Sequence, residues 1–444
     1  MKLFRTAAAV GVAAALAFPL VPASATADGR ATPATGAALS ATAEEATRTA
    51  SRNAAGKSLM RRQAPILEAA DEISGLAKRD RRSGYSGLNI SVEKNGYALR
   101  WKGQPPKDVT RAIATHRKRG LSVEVTSARY SAKELRRAMD AIAGSGIRRV
   151  NGAKIVRVSP GKDGNSLTVG VNTSGAALRT FADKPNTAGA LPASLTRGIP
   201  VSLTSATEAT PASNPAFDRR LGESTGYHYG GQVIMPTYGG RCTAGFGAYD
   251  RQKGTDYLIT AEHCTTQPGQ IWRNGRDSSL GTLETADASN DTAYIRVEGN
   301  KRAGGYIVGG SPAGERGQPM LTVGTWRDTY HGQYVCFSGA LTGERCGVPV
   351  SGSYGWQYVQ NKRYWTIDTG ESPWEYVAGK GDSGGPVYSY LVSGGVVAHG
   401  LISSTSRGFF CWDPIDKQLR GACSKYVSFT SLTEALETTR ISLR

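Results

Sequence analysis

The stretch Gly381-Asp382-Ser383-Gly384-Gly385-Pro386-Val387 holds the most specific chemistry in the sequence. A serine hydroxyl is a poor nucleophile at neutral pH, so it needs a base to take its proton and donors to hold the oxyanion formed on attack. Glycines beside Ser383 let the backbone turn sharply and let a substrate carbonyl approach the amides of Gly381 and Ser383. The base must come from four histidines in the C-terminal half: His228, His263, His331 and His399. His263 ends the apolar run Leu258-Ile259-Thr260-Ala261, and its neighbour Cys264 can pin the turn through a disulfide. His228 and His331 lie beside Tyr and Gly in loop-like sequence, and His399 sits in an apolar run and reads as a packed histidine. A carboxylate that orients the imidazole belongs at the head of an apolar strand. Asp291, before Thr292-Ala293-Tyr294-Ile295-Arg296-Val297, fits best, with Asp287 and Asp368 as rivals.

The elements that must position these groups follow from the surrounding pattern. From about residue 221 onward, short runs such as Tyr257 to Thr260, Ala293 to Val297, Tyr306 to Val308 and Gly395 to Ser403 alternate with Gly-rich turns. Helix periodicity is nearly absent until Leu432 to Leu436, so this half reads as an all-β barrel or sandwich. Gly381 to Gly385 also satisfy the G-x-S-x-G elbow of α/β-hydrolases, which would make the chain an esterase. That elbow requires a helix after the serine. Pro386 and the strand-like Val387 to Val392 argue against it.

The N-terminal half has a different character. Pro65 suits a first helical turn, and Ile66, Leu67, Ala70, Ile73 and Leu76 recur at helical spacing. Between about Leu88 and Val171 the pattern is a compact α+β unit. It has a hairpin turning at Asn95-Gly96, a helix opened by Pro106, a strand over Leu121 to Thr126, a Ser131/Glu134 capping box, and strands over Ile155 to Val158 and Leu167 to Val171. No chemistry is visible there: His116, in a basic helix, reads as an exposed side chain. Ser174 to about Arg220 is rich in Ala, Thr, Ser, Pro and Gly and reads as a linker open to cleavage near Arg219-Arg220.

Charge and cysteine divide the chain at the same place. Residues 1–220 carry 34 Lys and Arg against 16 Asp and Glu, whereas residues 221–444 carry 20 of each, so the net charge of +18 belongs wholly to the first half. No recognition motif accompanies the basic charge, and nucleic acid is not expected as a partner. All six cysteines lie in the second half. Lys2 and Arg5, the apolar run to Leu20 and Ala23-Ser24-Ala25 read as a secretory signal peptide over residues 1–25. Pro19 and Pro22 interrupt the run where a membrane span would have to continue, so no stable anchor is expected after its removal. An oxidising destination makes the cysteines disulfides; zinc is disfavoured because no C-x-x-C or clustered Cys/His spacing exists, and no metal or cofactor is expected.

Thr260-Ala261-Glu262-His263-Cys264, then Asp291, then Gly381 to Pro386, in that order, resemble the chymotrypsin-like serine proteases, in particular the secreted bacterial branch that contains the streptogrisins and α-lytic protease. Val335-Cys336-Phe337-Ser338-Gly339, with Thr342-Gly343 and Cys346-Gly347, is similar to a disulfide loop of that branch. The resemblance covers roughly residues 230–436. It implies a double β-barrel hydrolysing peptide bonds in proteins or peptides, with Ser383 as nucleophile, His263 as base, Asp291 orienting the imidazole, and the amides of Gly381 and Ser383 as oxyanion hole. The histidine loop implies Cys242 with Cys264, the bacterial loop implies Cys336 with Cys346, and Cys411 with Cys423 then remain. Ser403, Ser404 and Thr405 resemble the edge that pairs with an extended substrate. Trypsin-like members carry Asp six residues before the nucleophile; Val377 stands there, so cleavage after small or apolar side chains is expected over cleavage after Arg or Lys.

The resemblance also implies a pro-region, which with the signal peptide makes a secreted pre-pro-enzyme, and a monomer is expected. Its parts are a signal peptide (1–25), an Ala/Thr-rich and helical pro-segment (26–85), an α+β pro-domain (86–175), a linker with the maturation site (176–220) and the protease domain (221–444), the pro-region being the enzyme's own folding and inhibitory partner. One departure is Glu262, where the family usually has Ala. It adds a charge beside the base and is the best argument for a catalytically silent binding protein on the same fold.

Overall fold

The computed structural model describes residues 36–79, 84–150, 152–172, 191–206, 218–222, 226–310, 312, 319–359, 362–412 and 420–444. The signal peptide expected over residues 1–25 lies outside them, as does much of the linker.

The first helix, α1 (Gly36–Arg79), is longer than the sequence periodicity predicts, and Pro65 lies inside it instead of opening it. Its first half is rich in alanine, the strongest helix former, so a helix there does not need the apolar stripe that periodicity detects. Ile66, Leu67, Ala70 and Ile73 are buried at helical spacing against β1 (Tyr85–Ser91), β2 (Gly96–Trp101), α2 (Lys107–Lys118) and β3 (Ser122–Ser127). Asn95 has a φ of 47° at the hairpin turn, a conformation that asparagine tolerates. The capping box of α3 (Ala132–Gly144) has both bonds: Ser131 accepts from the Glu134 amide and Glu134 accepts from the Ser131 amide. His116 is fully buried, with Nδ1 2.7 Å from the Tyr97 hydroxyl and Nε2 3.0 Å from Glu72, which corrects the expectation of an exposed side chain.

A second group of N-terminal strands comprises β4 (Ala153–Pro160), β5 (Leu167–Asn172) and β6 (Val201–Ser205). β6 runs parallel to β5 inside the segment read as a linker. The difference has a plain cause: a single buried Val201 and half-buried Leu203 in a Ser/Thr background give too little alternation to mark a strand. The dibasic reading also changes at Arg220. Its guanidinium is fully buried and donates to the carbonyls of Gly231 (2.9 Å) and Gly309 (3.3 Å) and to Ser338 Oγ, so it is not an exposed cleavage point. Burial pushes its pKa down to about 10.

The C-terminal half is the expected all-β double barrel. One eight-stranded antiparallel sheet contains β7 (Thr255–Thr260) and β8 (Thr292–Val297) side by side. The other is built around β9 (Tyr334–Gly339), β10 (Gly343–Pro349), β11 (Gly355–Val359), β12 (Lys362–Asp368), β13 (Pro386–Tyr390), β14 (Val396–Ser406) and β15 (Tyr426–Thr430). This sheet continues into the N-terminal half, because β4 pairs antiparallel with β11 through Trp356↔Val158 and Gln357↔Arg157. Trp356, Tyr358 and Trp365 accordingly share a core with α3, β4, β5 and β6. Part of the N-terminal basic charge is used here: Arg136 lies 3.5 Å from the Trp365 ring centroid, Arg148 lies 5.0 Å from that of Tyr358, and Arg157 pairs with Asp368 at 2.7 Å. Among the described residues no helix is long and apolar enough to cross a membrane.

Candidate active site

β7 and β8 are antiparallel neighbours with Thr260 opposite Ala293, so the chain leaving β7 and the chain entering β8 meet at one end of the sheet. His263 lies on the short 3-10 turn Glu262–Cys264 that follows β7, and Asp291 immediately precedes β8. Asp291 has a φ of 47° and is fully buried. Its Oδ1 accepts from the His263 amide at 3.0 Å and its Oδ2 lies 2.8 Å from His263 Nδ1. The disulfide Cys242–Cys264 anchors the same turn.

Ser383 arrives from the other barrel, in the turn before β13, and its Oγ lies 2.8 Å from His263 Nε2. A hydroxyl, an imidazole and a carboxylate are therefore in line. The rival acids are elsewhere: Asp287 accepts from Ser289, and Asp368 is taken up by Arg157 and Ser428. The other histidines are also elsewhere. Burial pushes His228 and His399 down to about 4, and lowers His331 as well, so all three favour the neutral form. The segment after Ser383 is the strand β13, not a helix, which removes the α/β-hydrolase alternative.

Backbone and side-chain bonds fix the nucleophile turn. The Asp382 carboxylate, fully buried, accepts from the amides of Gly379 (2.7 Å), Leu341 (2.8 Å) and Thr342 (3.1 Å) and from the Thr342 hydroxyl (2.8 Å). Burial pushes its carboxyl up and these donors pull against that shift. Thr243 clamps the same turn, its amide donating to the Ser383 carbonyl and its hydroxyl to the Gly381 carbonyl. Gly384 has a φ of 81°, and a Cβ there would lie 2.1 Å from Thr260 Oγ1, so this position admits only glycine.

The residues expected to touch substrate are placed less simply. Ser403 donates to Asp291 Oδ2 at 2.5 Å and Ser404 donates to Gln357 at 3.0 Å. Both hydroxyls are thus turned to the interior, and Thr405 is buried as well. Val377 is fully buried in a core with Phe337, Val387, Ile402, Val427 and Phe429. The cysteines form the two bonds that the resemblance implies, Cys242–Cys264 and Cys336–Cys346, and the pair that remained, Cys411–Cys423.

Two features were not found from the sequence. Ser403 as a second donor to Asp291 carries no local signal, because the contact spans 112 residues. Glu262 stands out in the sequence but its partners do not: Lys362 Nζ lies 2.8 Å and 3.1 Å from its two carboxylate oxygens, and the Tyr364 hydroxyl donates to it at 3.2 Å. The charge beside the base is thus neutralised from β12, whose Tyr364 ring centroid is 6.2 Å from that of His263.

No family model matches the chain. A curated relative, Serine protease 2 of Streptomyces fradiae, is 31% identical over 185 residues, which span 40% of this chain and 94% of the relative. Among solved structures, Nocardiopsis protease (NAPase) aligns over 49% of this chain and 99% of its own, with 24% identity and a TM-score of 0.37. Thermobifida fusca protease A aligns over 49% and 98%, with 22% identity and a TM-score of 0.35. Identity at this level across nearly the whole of the Streptomyces enzyme, together with the double barrel, places the chain in the chymotrypsin-like serine proteases of the bacterial branch, and it is a serine endopeptidase.

Proposed function

We propose that Ser383, His263 and Asp291 form the catalytic triad of a secreted peptidase made as a zymogen. Ser383 attacks the scissile carbonyl while His263 Nε2 takes its proton and later delivers it to the leaving amine. Asp291 holds the Nδ1–H tautomer and stabilises the imidazolium, and Ser403 keeps that carboxylate oriented. The amides of Gly381 and Ser383 receive the oxyanion, and losing one such donor costs about 100- to 1000-fold in rate. The observation that carries this reading is the 2.8 Å contact between Ser383 Oγ and His263 Nε2 with Asp291 on the opposite nitrogen. The test is labelling by a serine-directed fluorophosphonate and hydrolysis of a peptide panel. Ser383→Ala loses both, and Asp291→Asn lowers kcat by about 10⁴, the magnitude of the same change elsewhere in this superfamily. Cleavage mainly after Arg or Lys would contradict the role given to the uncharged Val377.

Residues 26–220 act as the pro-region. A double barrel rich in non-local pairings folds slowly, and a covalently attached region that pairs with β11 can lower that barrier. In support, β4 extends the second barrel's sheet, and Arg136, Arg148 and Arg157 engage β11 and β12. The amino terminus of the secreted product, read by Edman degradation, is expected to lie beyond Ser205; a product retaining the α+β unit would contradict the pro-region assignment.

A further inference from the structure

One face of α1 is built to read a single element of the barrel. Asn53, Gly56, Lys57, Met60 and Gln63 recur three and four residues apart, so they line one side of the helix. They meet the β9–β10 hairpin closed by the Cys336–Cys346 disulfide. Two side-chain amides each bridge a backbone donor and acceptor there. Asn53 donates to the Glu344 carbonyl at 3.2 Å and accepts from the Cys346 amide at 3.0 Å. Gln63 donates to the Tyr334 carbonyl at 2.7 Å and accepts from the Tyr334 amide at 2.8 Å. Between them Met60 is fully buried, its sulfur 3.7 Å from Cys336 Sγ. Gly56 lies so close that a Cβ would come within 2.5 Å of the Cys346 carbonyl carbon and the Gly347 nitrogen. Glycine inside a helix is destabilising relative to alanine, and this contact accounts for its presence.

Lys57 completes the match. The Glu344 carboxylate, 2% exposed, accepts from the hydroxyls of Tyr388 (2.9 Å) and Tyr390 (2.5 Å) and from the Gly310 amide (2.9 Å). Its cationic partner from the N-terminal half is Lys57, at 3.4 Å, whose ammonium also lies 4.7 Å from the Tyr390 ring centroid. A buried carboxylate is tolerated when a cation and hydrogen bonds compensate it. The hairpin that α1 grips at its stem has its tip at Leu341 and Thr342, whose amides hold Asp382 next to Ser383.

We propose that the Asn53-Gly56-Lys57-Met60-Gln63 face of α1 is the recognition element by which the N-terminal region seats the Cys336–Cys346 hairpin, and through its tip the nucleophile turn, during folding. The partner surface is the hairpin stem, and the ligand that it fits is an amphipathic helix presenting two amides, a glycine, an ammonium and a thioether. The inference rests on the reading of residues 26–220 as a folding aid.

The test uses the full chain, secreted, with active sites counted by fluorophosphonate and kcat/KM measured per counted site. Gly56→Val is expected to lower the yield of active sites at least tenfold with kcat/KM per site unchanged. Ala55→Val, which places the same β-branched side chain at a neighbouring exposed position, is expected to leave the yield within twofold. Lys57→Met is expected to reduce the yield about 3- to 10-fold and Lys57→Arg to restore it. Unchanged yield in Gly56→Val and Lys57→Met, or a fall in Ala55→Val as large as in Gly56→Val, overturns the proposal. A chain lacking residues 26–220 separates the two readings. If its yield collapses while Gly56→Val is silent, only the helix contact fails; if it too yields active enzyme at parental level, the folding role of the whole region fails with it.

Discussion

Replacing Lys362 by Met strands the Glu262 carboxylate one residue from His263. The side chain of Glu262 is 11% exposed and that of Lys362 is 50% exposed. Breaking a fully buried pair costs about 3 to 5 kcal/mol, but the half-solvated lysine screens the interaction, so about 1 to 2 kcal/mol is expected. Tyr364 still donates to the carboxylate, which keeps the cost at the lower end. Denaturant unfolding of the full chain in the Ser383→Ala background, where self-digestion is abolished, measures this. The informative quantity is the coupling in a double-mutant cycle with Glu262→Ala. Once the carboxylate is gone Lys362 has nothing to compensate, so the double variant is expected to be more stable than the sum of the single effects by about 1 kcal/mol. In the active enzyme the same pair fastens β12 to the histidine turn, so Lys362→Met is expected to lower kcat about 3- to 10-fold, with KM within twofold, and Lys362→Arg to recover most of it. Additive single effects within about 0.3 kcal/mol, with kcat unchanged in Lys362→Met, would refute the reasoning and leave Glu262 a solvent-compensated charge.

Ser403→Ala removes a hydrogen bond to the buried Asp291 carboxylate, worth roughly 1.5 kcal/mol for a charged acceptor, and kcat/KM is expected to fall about tenfold with the fold intact by circular dichroism. His399 accepts from Gln333 and Ser389 through Nε2, at 2.8 Å and 2.9 Å, so a proton there meets the Gln333 amide donor. Its folded pKa of about 4 lies below the ordinary 6.5, as does that of His228, so the stability tied to these neutral rings is full above pH 6.5 and is lost as pH falls from 6.5 through 4. The midpoint of unfolding is therefore expected to drop over that window, and His228→Leu, at a ring without a hydrogen-bond partner among the described residues, to flatten the drop in urea titrations at successive pH values. Opening the Cys411–Cys423 bond by a double Ser substitution frees a loop of 12 residues and is expected to cost about 3 kcal/mol in the same unfolding assay.

What could be read from the sequence and what could not divide along a physical line. Features set by neighbours along the chain were legible: the Asn95 turn, the Ser131/Glu134 box, the glycines around Ser383, and the apolar strands that deliver His263 and Asp291. Features set by partners far along the chain were not. Arg220 looks like a solvated dibasic site until Gly231, Gly309 and Ser338 close around it. His116 looks exposed in its basic helix until Tyr97 and Glu72 cover both nitrogens, and nothing near Ser403 in the sequence marks its hydroxyl as a donor to Asp291. Glu262 shows the same asymmetry in the opposite direction: alone it resembles a lesion beside the base, whereas Lys362 and Tyr364, about a hundred residues away, make it a fastening point. The hairpin that supplies Lys362 and Tyr364 is also the one whose outer edge pairs with β4. One two-stranded element therefore faces the N-terminal half on one side and the histidine turn on the other, so a substitution on β11 that loosens its pairing is expected to act on His263 through β12.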